Sequence, residues 1–155
     1  MKKAILLLIL VIGLVTGAIF YFFPSTQVAQ VSLTFKGNSP ATFRILGTDS
    51  FWHKAIHGAV PLKQGGIKLN DHVFKVITAT MNQLAISVKT DDREALGRLL
   101  LIGIGKDSIQ VTWSTTLQGA GNPVARIKTL SAKNLLQEEK MRILFDFSQF
   151  IQNTK

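Results

Sequence analysis

A chain of 155 residues with 46% hydrophobic and 17% charged side chains has room for one domain and a targeting segment, and is too apolar to be disordered. Its net charge of +9, from 18 basic and 9 acidic residues, is scattered along the sequence, which argues against nucleic-acid binding, where phosphate contacts need clustered charge. The lack of cysteine excludes disulfides, thiolate metal sites, a cysteine nucleophile and a lipid-modified cysteine.

Lys2 and Lys3 precede an uncharged stretch from Ala4 to Phe23. As a helix, that stretch reaches about 30 Å, the thickness of a bilayer's hydrocarbon core. Residues 4–23 are therefore expected to meet the lipid bilayer, and residues 1–24 form the expected membrane anchor. The lysines favour the cytoplasmic side, which places residues 25–155 on the non-cytoplasmic, periplasmic or extracellular face as a single-pass protein. A cleaved signal would carry a shorter apolar region and a small-x-small site. Here the run ends in Tyr21, Phe22 and Phe23, followed by PSTQVAQ, so retention is the expectation.

Beyond Pro24, Ala29, Val31, Leu33 and Phe35 alternate with polar residues, as in a half-buried strand. Ser39-Pro40 predicts a helix start with Ser39 as the cap. Asp49 or Ser50 caps a second short helix carrying Phe51 to His57. From Gly66 to Leu117 the chain reads as strands over residues 66–69, 73–79, 84–90, 99–106 and 108–117, joined by short polar turns such as Asn70-Asp71. That spacing predicts an antiparallel meander. Asn122-Pro123 then starts a helical region, with room for a short helix before the main one. Leu136, Lys140, Ile143, Leu144, Phe147, Phe150 and Ile151 mark one helical stripe in which only Lys140 is polar. The class is thus α+β: an N-terminal transmembrane helix, then a sheet closed by a long C-terminal helix.

That order of elements resembles the START-like, or SRPBCC, helix-grip superfamily, and among its members the membrane-anchored bacterial branch of polyketide cyclase/dehydrase-like proteins. Three stretches carry the resemblance: VSLTFKGNSPATFRIL, DSFWHKAIHG with Trp52, and DSIQVTWSTTLQGAGNPVARIKTL with Trp113. It covers nearly all of residues 28–151. The sequence departs from the family pattern at Ile56 and Gly58, where a second tryptophan and a proline often stand. The resemblance implies a curved antiparallel sheet around the C-terminal helix, with an apolar cavity that holds a small hydrophobic ligand. Phe43, Trp52, Phe74, Trp113 and Phe147 are the candidates to line it. No family catalytic residue maps onto the chain, and neither a metal nor a cofactor is expected.

Residue chemistry adds little to this. His53 and His57 stand four apart, a spacing that can hold a metal on a helix, but Lys54 occupies the place where the zinc-protease motif needs glutamate. Asp91, Asp92 and Glu94 lack the glycine and ligand periodicity of a calcium loop. Gly103 and Gly105 suit a bend in a curled strand. The leading expectation is a membrane-tethered binding module for a small hydrophobic molecule. A structural or interaction subunit of a cell-envelope assembly is the alternative. A cyclase or hydratase drawing on His53, His57 and Asp49 ranks third.

Overall fold

The computed structural model describes residues 2–90, 93–119 and 121–153, without the side chains of Lys2 and Asp49. Its first element is α1 (Lys2–Phe22), a helix long and apolar enough over Lys3–Phe22 to cross a membrane, with none of that span buried against the rest of the chain. After three intervening residues β1 (Thr26–Lys36) begins. Its alternating burial turns Ala29, Val31 and Phe35 inward, as a strand with one wet face requires.

Two short helices follow, α2 (Ser39–Leu46) and α3 (Asp49–Ala55). The cap of α2 is Asn38, not Ser39: its side chain accepts a hydrogen bond from the Ala41 backbone N–H at 3.3 Å. Asparagine caps as well as serine does, and proline is tolerated throughout the first turn, so the helix starts one residue earlier than its proline suggests. Thr48 precedes α3 without a side-chain cap, and the helix ends at Ala55, because Ile56 turns extended to bury its side chain.

The remaining strands are β2 (Val60–Pro61), β3 (Ile67–Leu69), β4 (His72–Thr80), β5 (Gln83–Thr90), β6 (Arg93–Ile104) and β7 (Ser108–Gln118). All pairings are antiparallel and the sheet order is β1-β7-β6-β5-β4-β3-β2. The meander predicted from the polar turns is present, with β2 added and β6 starting earlier than residue 99. Asn70 and Met81 take the left-handed conformation at the tight turns on either side of β4. Gly105, at φ +70°, serves the turn from β6 to β7 and not a bend within a strand.

One continuous 31-residue helix, α4 (Pro123–Asn153), is the last described element; among the described residues no separate shorter helix precedes it. Asn122 caps it, accepting from the Ala125 N–H at 2.7 Å. Leu136, Ile143, Leu144, Phe147 and Ile151 are buried against the inner face of the sheet, as the stripe predicts. Between them and the sheet lie Trp52, Phe74 and Trp113, each no more than 1% exposed. Burying a side chain of this size stabilises by about 1.5–3 kcal/mol, so this layer dominates the core.

Candidate functional site

The ladder between β6 and β7 runs from the pair Ile104 and Ser108 to the pair Gly97 and Thr115, and ends there. At Gly97 there is no room for a side chain: a Cβ on it would lie 2.5 Å from Thr115 Oγ1 and 2.8 Å from Trp113 Nε1. No larger residue fits without displacing the indole beneath. Past this point, Arg93–Leu96 of β6 and Thr116–Gln118 of β7 are no longer paired with each other. A cavity of about 540 Å³ fills the gap, within the range of small-molecule sites. Val88, Ala95, Leu117, Ala132 and Leu136 supply its apolar lining.

Its rim is polar and tied together. Arg93 donates to Thr129 Oγ1 at 3.2 Å, and the Thr129 hydroxyl donates in turn to the Ala125 carbonyl at 2.8 Å. Ser87 donates to the Glu94 carboxylate at 2.5 Å. Across the opening, His72 Nδ1 stands 2.5 Å from Glu139 Oε2. The other oxygen of Glu139 accepts from Asn70 at 2.8 Å. His72, Thr90, Arg93, Glu94 and Thr129 all face the cavity.

This rim lies close to α1. One turn before Thr129 on α4, the Arg126 guanidinium stacks 4.2 Å from the centroid of the Phe20 ring. It also donates to the carbonyls of Phe20 and Phe23 at 3.2 and 3.0 Å. Those carbonyls lie in the last turn of α1 and one residue past its end, where no intrahelical donors are left and the negative end of the helix dipole lies. A cation there satisfies both needs. Gly119 donates to the Ser25 carbonyl at 2.6 Å, which closes the end of β7 onto the start of β1.

The five aromatic candidates sit elsewhere. Trp52, Phe74, Trp113 and Phe147 form one buried cluster of edge-to-face contacts. Its centroid distances are 6.0 Å for Trp52–Trp113, 5.3 Å for Trp52–Phe147 and 5.5 Å for Phe74–Trp113. Such pairs add stability beyond their buried area. Trp52 Nε1 donates to the Leu46 carbonyl at 2.8 Å, whereas Trp113 Nε1 and Thr115 Oγ1 have no hydrogen-bond partner among the described residues. Phe43 is half-buried at the edge of the core. None of the five lines the cavity between β6 and β7.

Beside Trp113 lies a side chain whose burial is unusual for its type. Lys140, 0% exposed, donates from Nζ to the Ala29 carbonyl at 2.8 Å and stands 5.2 Å from the Trp113 ring centroid. Gln137, one turn earlier, donates to the Gln30 carbonyl at 3.0 Å. Together they tie the middle of α4 to the backbone of β1. Desolvation pushes the Lys140 amine down to about 7, because a charged ammonium in this setting gives up most of its hydration.

The histidine pair does not form a site. Since α3 ends at Ala55, His57 lies beyond the helix, and its backbone is held by Asp146 and Arg142 of α4. No group of three potential metal ligands occurs among the described residues. Asp91, Asp92 and the side chain of Asp49 fall outside the described residues, so Glu94 is the described member of the acidic cluster. The rim residues His72, Arg93 and Thr129 carry no motif. Their meeting depends on strand register, which a single sequence does not display.

No protein-family model matches this sequence, and no curated protein matches it. Solved structures do match. A START superfamily protein from Mycobacterium smegmatis superposes with a TM-score of 0.60 at 9% identity, covering 83% of this chain and 99% of the other. CalU16 from Micromonospora echinospora gives 0.60 at 9% identity, with 81% and 74% covered. Norcoclaurine synthase from Thalictrum flavum, in complex with dopamine and hydroxybenzaldehyde, gives 0.63 at 10% identity, with 84% and 88% covered. The chain thus has the START-like helix-grip fold: a seven-stranded antiparallel sheet packed on a long C-terminal helix. Identities this low establish the fold and nothing more specific.

Proposed function

We propose that the protein is a membrane-tethered binding module, in which the cavity between β6, β7 and α4 takes up a small hydrophobic molecule. On this reading α1 is retained as a single-pass anchor, and the domain of residues 25–155 stands on the non-cytoplasmic side. The observation that carries the reading is the position of the cavity rim. Thr129 faces the cavity and lies one helical turn from Arg126, which grips the last turn of α1. An apolar molecule leaving the bilayer beside the anchor meets the opening with little water to cross. The norcoclaurine synthase structure holds two small aromatic molecules in the same fold, which agrees with a ligand of that size. The aromatic cluster of Trp52, Phe74, Trp113 and Phe147 serves in this proposal as the packed floor beneath the cavity, with Phe43 at its margin.

The test is native mass spectrometry of the full chain released gently from its membrane in a mild detergent. A discrete added mass of one small molecule, lost on denaturation and lost when Ala132 is enlarged, supports the proposal. A clean mass for the unliganded chain, unchanged after incubation with a lipid extract, refutes it.

One observation favours the alternative, an interaction subunit of an envelope assembly. Met141 and Phe145, one turn apart on the outward side of α4, are 41% and 54% exposed. Crosslinking from these two positions in intact membranes would then return a discrete protein partner.

A further inference from the structure

Next to the cavity, and sharing Thr90 with it, lies a second and larger hollow of about 690 Å³. It is formed by the turn between β2 and β3 and by the outer face of β4 and β5. Four lysines surround it, Lys63, Lys68, Lys75 and Lys89, against one acid among its described lining residues, Asp71. Register explains how residues so distant in sequence converge. Lys68 pairs with Val73, and Val73 pairs with Lys89, so all three occupy one row across β3, β4 and β5. Lys75, two residues beyond Val73 on the same face, donates to the Gln64 carbonyl at 2.9 Å and pins the turn that carries Lys63. Lys63, Lys68 and Lys89 make no hydrogen bond or ion pair among the described residues.

Like charges on one face repel one another, and the acid set opposite them by register is Glu94, the cross-strand partner of Lys89, whose carboxylate already accepts from Ser87. The hollow contains no arginine and no aromatic ring. It therefore lacks the planar fork and the stacking surfaces used to read nucleic acids, and offers compact point charges instead. Such charges suit an anionic surface whose phosphates need no fixed geometry. Position supplies the rest: Arg126 grips the end of α1, Thr129 one turn on faces the cavity, and Thr90 across the cavity borders the lysines.

We infer that this hollow seats the anionic phospholipid headgroups of the membrane that holds α1, and so fixes the cavity mouth against the bilayer. The inference rests on the anchor reading above. Its partner is the lipid surface, not free phosphate and not a second protein.

The test uses the full chain in nanodiscs of phosphatidylcholine alone and of phosphatidylcholine mixed with phosphatidylglycerol. Backbone hydrogen exchange is followed across residues 62–75 and at the end of β5. Exchange slowed several-fold in the anionic discs is the expected result. It should return to the neutral-disc rate at high salt, where screening shortens the range of charge–charge attraction. A variant with Lys63→Gln, Lys68→Gln and Lys89→Gln, which keeps Lys75 and its turn, should lose the effect. Equal exchange in both kinds of disc, or slowing that the triple variant retains, overturns the inference and leaves the anchor intact. Slowing by inorganic phosphate in neutral discs to the same degree also overturns it, since the hollow is then an ion site and not a surface seat. A chain that washes out of both discs overturns the anchor reading and this inference together.

Discussion

Replacing Lys140 with methionine removes an amine from the core and keeps an unbranched chain of similar reach. The wild-type amine has an ordinary value of 10.5, and burial lowers it to about 7. The unfolded chain therefore binds more protons than the folded one between these limits, and stability must rise with pH across that window. Below about 7 the cost of burying the charged group is fully present, and as pH climbs towards 10.5 it is relieved. The gap of roughly 3.5 units, at about 1.4 kcal/mol per unit, makes that cost on the order of 5 kcal/mol. Against it stand the hydrogen bond to the Ala29 carbonyl and the contact with the Trp113 ring, each contributing about 1 kcal/mol. The variant Lys140→Met should thus be more stable than wild type at pH 6, and equal or slightly less stable at pH 10.

Tryptophan fluorescence suits the assay, because both tryptophans lie in the buried cluster and α1 contains none. Urea unfolding of the full chain in a nonionic micelle, at several pH values from 6 to 10, gives the stability difference between the two proteins. Surface groups titrate alike in both and cancel. The expected result is a difference that shrinks by about 3–5 kcal/mol over this range and changes sign near its upper end. A difference that stays constant with pH would mean that Lys140 keeps an ordinary affinity for protons, through water or a counter-charge reaching it, and the reasoning from burial would be wrong.

Three further outcomes follow from the site. Gly97→Ala drives a methyl against Thr115 and the Trp113 indole, and should lower stability by about 1–3 kcal/mol, read as a fall in the same urea midpoint. Ala132→Trp puts an indole into the empty space between β6 and α4, so it should abolish the bound small-molecule mass while changing the urea midpoint little. Arg126→Ala frees the last turn of α1 from α4. With spin labels on Leu14→Cys and Met141→Cys in this cysteine-free chain, electron paramagnetic resonance should show a markedly broader distance distribution than with Arg126 present.

Much of the fold is legible in the sequence because its signals are local. The period of two in residues 29–35 gives β1 directly, and the stripe from Leu136 to Ile151 gives the buried face of α4, including the one cation in it. The discrepancies have local causes too. Asn38 competes with Ser39 for the cap, and Ile56 leaves the helix to bury its side chain, which carries His57 away from His53. The cavity is different in kind. Phe43, Trp52, Phe74, Trp113 and Phe147 read as cavity candidates because aromatic rings serve equally to fill a core and to line a pocket, and periodicity cannot tell these uses apart. Four of them pack on one another. The cavity opens where the β6–β7 ladder stops, at the pair of Gly97 and Thr115. Arg93 and Thr129 meet across 36 residues of chain, and nothing in either one's neighbours announces it.

The division of labour along α4 ties these points together. Its first turn holds α1 through Arg126, its second and third form the cavity wall through Thr129 and Ala132, and its middle is tied to β1 through Gln137 and Lys140. Its last turns supply the core through Ile143, Phe147 and Ile151. A helix of 31 residues is stiff over this length, so the end of α1 and the cavity wall keep a fixed relation without any interface between separate domains. The cost of burying Lys140 is tolerated because the aromatic layer beside it is large. The two ends of the helix should therefore respond differently to substitution. Changes between residues 126 and 132 should alter ligand uptake and the attitude of the domain at the membrane, with stability nearly kept. Changes between residues 143 and 151 should lower stability first and uptake only in proportion to the unfolded fraction. If substitutions at both ends instead lowered uptake and stability together, the cavity would be a gap in one cooperative core and not a site held apart from it.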